Sequence, residues 1–193
     1  MAKPTLDIQV DQASGEWRVD GMPMILVPRH FLVNNHVASE RAIGVEGYAK
    51  HLHDAGYKSA WQWCEKEATT HGLSGIDVFH HYMKRLSQRG WAQFSVESAD
   101  GNTGNARVRL RHSVFVSESG KDAGRKVCYM FLGWLVGSLE YVGHATGKNY
   151  KLQAAETACG ADGAHDGCVL EVPARGLLVV PRTSRDQQQQ CAK

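Results

Sequence analysis

Cys128, Glu156, Cys159 and Cys168 bracket the most apolar region of this 193-residue chain. Thiolates with a carboxylate suit zinc, which structural sites hold tetrahedrally through four protein groups. Glu156 and Cys159 stand three residues apart, a spacing that on a regular strand would aim them at opposite faces. A turn at residues 157–158 is therefore expected to bring them together. Cys168 follows after eight residues that include Gly160, Gly163 and Gly167, a composition that lets a loop curl back on an ion. Cys128 is expected to head a helix, where free amides and the helix dipole favour a thiolate. His165, inside the loop, competes with it for the fourth position.

Charge and length narrow the classes. Lys+Arg of 22 against Asp+Glu of 20 gives a formal charge of +2, which argues against a nucleic-acid-coating protein. The N-terminal residues lack the apolar core of a signal peptide, and no stretch is apolar enough to span a bilayer. A soluble cytoplasmic protein is expected, in which cysteines serve metals more than disulfides. Of the five cysteines, Cys64 reads as a small core residue, and Cys191 lies in a Gln-rich tail read as disordered.

The elements that must position these groups follow from periodicity. Alternating runs over 5–10 and 16–20 suggest a hairpin, and Pro28 starts a helix over 29–42 with Phe31, Leu32, His36 and Val37 inward. A second helix over 45–69 carries a stripe of Tyr48, Leu52, Ala55, Ala60, Trp63 and Cys64, interrupted at Gly56. Ser74 is expected to cap a third helix, with Asp77 in its first turn and Ile76, Phe79, Met83 and Leu86 buried. From Ala92 the period becomes two, and the turn cluster at 100–104 joins this strand to one over 107–112. That strand presents three arginines outward, read as a solvated sheet face. A buried helix over 126–144 and strands over 150–157, 168–173 and 176–180 complete the chain. Gly133 and Gly137 share one helix face and allow close approach of another backbone, from within the domain or from a dimer partner. The order defines an α+β fold, an antiparallel sheet with a helical layer. The domain division expected is an extension at 1–21, the domain proper at 22–182 and a tail at 183–193.

Other chemistry finds little support. His51 and His53 diverge on a helix, adjacent His80 and His81 cannot share a face, and these read as structural histidines. No phosphate loop, nucleophile elbow or dinucleotide fingerprint is present, and no helix-turn-helix remains, so direct nucleic-acid binding is not expected.

The run Cys128-Tyr-Met-Phe-Leu-Gly-Trp-Leu-Val-Gly137, Gly143, then Glu156-x-x-Cys159 and Cys168, resembles the 4-vinyl reductase domain. It is similar to the sensory domains of bacterial activators that detect phenol and toluene-type aromatics. Ile25-Leu-Val-Pro-Arg29, Ala55-Gly56 and Gly90-Trp91 extend the likeness over residues 22–173, closest to small stand-alone members of unassigned function. The resemblance implies a fold shared with subunits of the vesicle-tethering transport-protein-particle complex, usually dimeric. It also implies a structural zinc held by Cys128, Glu156, Cys159 and Cys168. The function expected is a zinc-stabilised small-molecule-binding module, a sensor or accessory protein linked to a bacterial catabolic pathway. Its apolar pocket between helices and sheet would take a hydrophobic or aromatic ligand, lined by Phe31, Trp63, Phe79, Met83, Phe94, His112, Phe115 and Trp134. The alternatives are an accessory reductase, which a closed four-ligand zinc and the lack of a redox-cofactor motif disfavour, and a protein-interaction scaffold.

Overall fold

The computed structural model describes residues 6–119 and 123–173. The strand expected at 176–180, the tail and Cys191 lie outside them. Three short strands, β1 (Ile8–Val10), β2 (Trp17–Val19) and β3 (Met22–Met24), form an antiparallel sheet in that order. The hairpin read from the sequence thus gains a third strand. Asp20 and Gly21 make the β2–β3 turn with φ of 53° and 73°, the left-handed pair that a two-residue hairpin needs.

Helices α1 (Arg29–Ile43), α2 (Val45–His71) and α3 (Ile76–Gln88) follow within two residues of the expected limits. Two details differ. Leu32, His36 and Val37 face the core as expected, joined by buried Val33, while Phe31 is 62% exposed, because the inward stripe passes through Val33 rather than Phe31. The cap of α3 is Gly75 in a conformation with φ of 57°, without a side-chain cap, so Ser74 does not take that role.

A second sheet has the order β4-β5-β7-β6, all neighbours antiparallel, from β4 (Gln93–Ala99), β5 (Ala106–Arg111), β6 (Ala155–Ala158) and β7 (Cys168–Val172). Phe94 aligns with Leu110 and Cys168, and Val96 aligns with Val108, Leu170 and Glu156, which defines the inward face. On the other face Glu97 accepts from Arg107 Nε at 2.7 Å and Arg109 Nε at 2.6 Å, and Arg107 also pairs with Glu171. These arginines form the solvated face expected of them.

Two helices of the second half differ from expectation. Residues Val114–Ser119 form α4, where a loop had been expected from Ser117, and α5 spans Met130–Ala145 rather than beginning at Lys126. α5 is the centre of the core. Ideal Cβ atoms at Gly133 and Gly137 would lie 2.2 Å from His53 O and 2.4 Å from Tyr57 O, so these glycines bring the α2 and α5 backbones into direct contact. The close approach lies within the domain. Gly56 is its reciprocal point, since a Cβ there would stand 2.7 Å from Trp134 Cδ1. It does not interrupt the α2 stripe but belongs to it, whereas Ala55 is exposed. Phe131 carries α5 onto the sheet, with ring centroids 5.3 Å from Phe94 and 5.6 Å from Phe115.

Candidate metal centre

Glu156 and Cys159 converge through a β-bulge rather than a turn. Glu156 pairs with Leu170 and Ala158 with Val169, so one extra residue, Thr157, is accommodated in β6. An added residue reverses the side-chain alternation beyond it. Cys159 therefore returns to the face that already carries Glu156 and Cys168. The loop at 160–167 then closes with the Gly160 N–H donating to Cys168 Sγ at 3.4 Å.

Cys128 comes from the other side of the site, two residues before α5 instead of at its head. Its carbonyl accepts from Phe131 N–H at 3.0 Å, fixing it at the helix approach. Its own N–H points at the Glu156 carboxylate, 3.3 Å and 3.1 Å from the two oxygens. The sulfurs of Cys128 and Cys168 are 3.3 Å apart, and those of Cys168 and Cys159 are 3.6 Å apart. All four ligand atoms lie within 4.8 Å of one another and all four residues are buried. A tetrahedral zinc with sulfur at about 2.3 Å would space its sulfurs by about 3.8 Å. The cluster could hold a metal ion with only small adjustments. His165 is exposed and bonds Asp162 at 2.8 Å, outside this cluster.

Electrostatics favour a cation here. Burial, with the neighbouring Cys159, pushes the Glu156 carboxyl up to about 9. The Cys128 thiol is raised by its bonds to Cys159 and Cys168 and by burial, while Cys159 is lowered because both other thiols donate to it. Four potential anions share one buried volume, and without a cation Cys128, Cys168 and Glu156 are held protonated around Cys159. A divalent ion reverses that demand.

Two supporting residues lay beyond sequence reasoning. Ser113 Oγ stands 3.1 Å from Cys128 Sγ, and Lys126 Nζ donates to Glu156 O at 2.6 Å. Both are polar groups on or beside the stretches already singled out, but their partners become visible only when sheet and helix are assembled.

The eight residues expected around a ligand separate into groups. Phe94, Phe115 and Trp134 surround Phe131, and Trp91 packs edge-on to Trp134 at 4.8 Å. Trp63, Phe79 and Met83 are fully inside the helical core, with the Arg89 guanidinium 3.7 Å above the Trp63 ring. Phe31 is on the surface, and His112 is exposed with φ of 54°. His36, the inward polar position of α1, adjoins the first set as a buried group. His36 packs 4.7 Å from the Phe115 ring and bonds the Tyr129 hydroxyl at 2.9 Å, and that hydroxyl donates to Glu40 at 2.5 Å. Arg125 holds the other side of Glu40 at 2.6 Å and 3.1 Å.

This arrangement defines an α+β domain whose helix layer and antiparallel sheet meet at a buried Cys/Glu cluster. A family model described as a domain of unknown function (DUF5943) matches residues 2–97. No curated protein matches the sequence. Among solved structures, the chain is similar to the phenol-responsive sensory domain of the transcription activator PoxR, solved with phenol. The TM-score is 0.71 at 16% identity, covering 86% of this chain and 84% of that one. It is also similar to trafficking protein particle complex subunit 3 from Naegleria fowleri, covalently bound to palmitic acid, with TM-score 0.51, 13% identity and coverage of 78% and 96%. A vinyl-4-reductase family protein from Methanocaldococcus jannaschii matches with TM-score 0.49, 14% identity and coverage of 78% and 83%. The fold is thus the one the sequence resemblance implied.

Proposed function

We propose that this protein is a zinc-stapled small-molecule-binding module that acts as a sensor or accessory protein. The observation that carries the proposal is the buried Cys128–Glu156–Cys159–Cys168 cluster, set in a fold similar to a phenol-responsive sensory domain. Three thiolates and a carboxylate match zinc chemistry better than that of magnesium or calcium, and four protein ligands leave no open position for catalysis. Zinc here is structural. It ties the β6–β7 hairpin to the start of α5.

The ligand is a hydrophobic or aromatic small molecule taken up between helices and sheet. Both neighbours with the higher fold similarity were solved with an apolar or aromatic molecule, phenol in one and palmitic acid in the other. The aromatic set of Phe94, Phe115 and Trp134 offers the matching surface, and His36 beside it carries a buried Nδ1 without a hydrogen-bond partner among the described residues. Trp63, Phe79 and Met83 form the wall behind it, while Phe31 and His112 would join only through a movement of α1 or of the β5–α4 connection. Exposed Ile25, Leu26 and Phe31 give an apolar surface for the homodimer that the resemblance implies, in a cytoplasmic setting.

Two measurements test the reading. Elemental analysis should give zinc at one equivalent or more, and a thermal-shift series with phenols, aromatic acids and fatty acids should raise the melting temperature for at least one class. Zinc-free protein of unchanged stability would remove the staple. No shift with any of the compounds would remove the ligand pocket. Light scattering at a monomer mass would remove the dimer.

A further inference from the structure

A second set of donors lies at the C-terminal end of α2. Glu67 is 1% exposed, a nearly fully buried carboxylate, and its Oε1 has no hydrogen-bond partner among the described residues. Its Oε2 stands 2.6 Å from His81 Nε2 and 3.4 Å from His71 Nε2. Glu67 and His71 are four apart on α2, which puts them on one face, and His81 meets them from α3. The two imidazole rings are 4.9 Å apart, and the three donor atoms lie within 4.8 Å of one another.

We propose that Glu67, His71 and His81 form a second metal site for a divalent ion of the zinc class, which clamps α2 to α3. Two imidazoles with one carboxylate suit zinc, copper or nickel better than magnesium or calcium. Three protein ligands leave a position for water, so this ion is exchangeable where the thiolate-held ion is not. His71 and His81 are one-third and one-fifth exposed, which gives the ion a path from solvent.

The neighbouring cations do not defeat the site. Arg85 Nε is 3.5 Å from Glu67 Oε2, but the Arg85 guanidinium is engaged by Asp20, which the β2–β3 turn carries to it. Asp20 also lies 3.9 Å from His71. Arg89 stacks on Trp63. Glu67 and Asp20 together balance the two arginines, and the neutral imidazoles contribute lone pairs without charge. The orphaned Oε1 is the oxygen that a plain His–Glu ion pair leaves unexplained. A metal accepts a second carboxylate oxygen readily.

The full chain, stripped of metal, is titrated with Co²⁺, and zinc stoichiometry is measured in parallel by equilibrium dialysis. A thiolate site gives an intense sulfur-to-cobalt charge-transfer band, whereas a nitrogen–oxygen site gives only weak visible bands. Two equivalents are expected, one with the charge-transfer band and one without. His71→Ala, a change at a partly exposed side chain, and the isosteric Glu67→Gln should each weaken the second equivalent at least tenfold and leave the charge-transfer band unchanged. A single equivalent that carries the band, or a second equivalent unaffected in both variants, overturns the proposal. A second equivalent lost in His71→Ala from a chain with no charge-transfer band would uphold this site and overturn the zinc staple instead.

Discussion

Cys159 depends on one extra residue, Thr157, for its direction, and the cluster depends on Cys159. Cys159→Ser is expected to lower zinc content by one equivalent, measured by elemental analysis. Because metal binding free energy is folding free energy in such a site, the melting temperature should fall by about 10 °C, the shift that a loss of several kcal/mol gives in a domain of this size. Ser113→Ala removes only the hydroxyl beside Cys128 Sγ and is expected to retain zinc while costing about 1 kcal/mol in denaturant unfolding. The four residues of the cluster were legible from soft donors at the edges of one apolar stretch together with the family resemblance. The bulge was not, since only the partner strand β7 reveals which residue of β6 goes unpaired. The Glu67–His71 pair was also in plain view at a helical spacing. His81 was set aside with His80 as a neighbour on another face, and its partner proved to be on a different helix.

Between elements, the α2–α5 contact has the tightest tolerance. Gly137→Val would drive a side chain into Tyr57 O and is expected to cost about 3 kcal/mol or more, read from urea unfolding. Gly47→Ala, in the same helix α2 but with no atom of the described residues within 4 Å of its Cβ position, should instead stabilise by about 0.5–1 kcal/mol. The pair of changes separates helix propensity from packing. The spacing of Gly133 and Gly137 announced a close approach, but not whether the other backbone belonged to this chain. α4 escapes the sequence pattern because its six residues complete fewer than two helical turns, and β3 because Pro23 sits in its middle, tolerated at its position in the outer strand.

For the molecule as a whole, acid stability should follow the His36–Tyr129–Glu40 network. His36 is held below its ordinary value of 6.5 because burial disfavours the imidazolium, more than the Glu40 carboxylate favours it. Glu40 is held below its ordinary 4.5, where burial pushing upward is outweighed by the Tyr129 hydroxyl and Arg125. A lowered value means the unfolded chain binds more protons, so each group's stabilisation is present above the ordinary value and lost as pH falls. The melting temperature should therefore decline from near pH 6.5 downward, through His36 first, and more steeply below pH 4.5 through Glu40. His36→Phe, which keeps the ring packing, should flatten the upper part of that decline and leave the lower part.

The glycine contact has a mechanical consequence. Helices separated by side chains can slide past one another, as layers of packed methyl groups yield by small increments. Backbones that touch at Gly133 and Gly137 resist such sliding, so α2 and α5 are expected to move as one lever. Each proposed metal is attached to an arm of that lever, one beside Cys128 before α5 and one at Glu67 and His71 at the end of α2. A molecule pressing on Trp134 would load both arms together. Amide exchange along the two helices should accordingly slow or quicken in step when a ligand is added, while β1–β3 exchange independently.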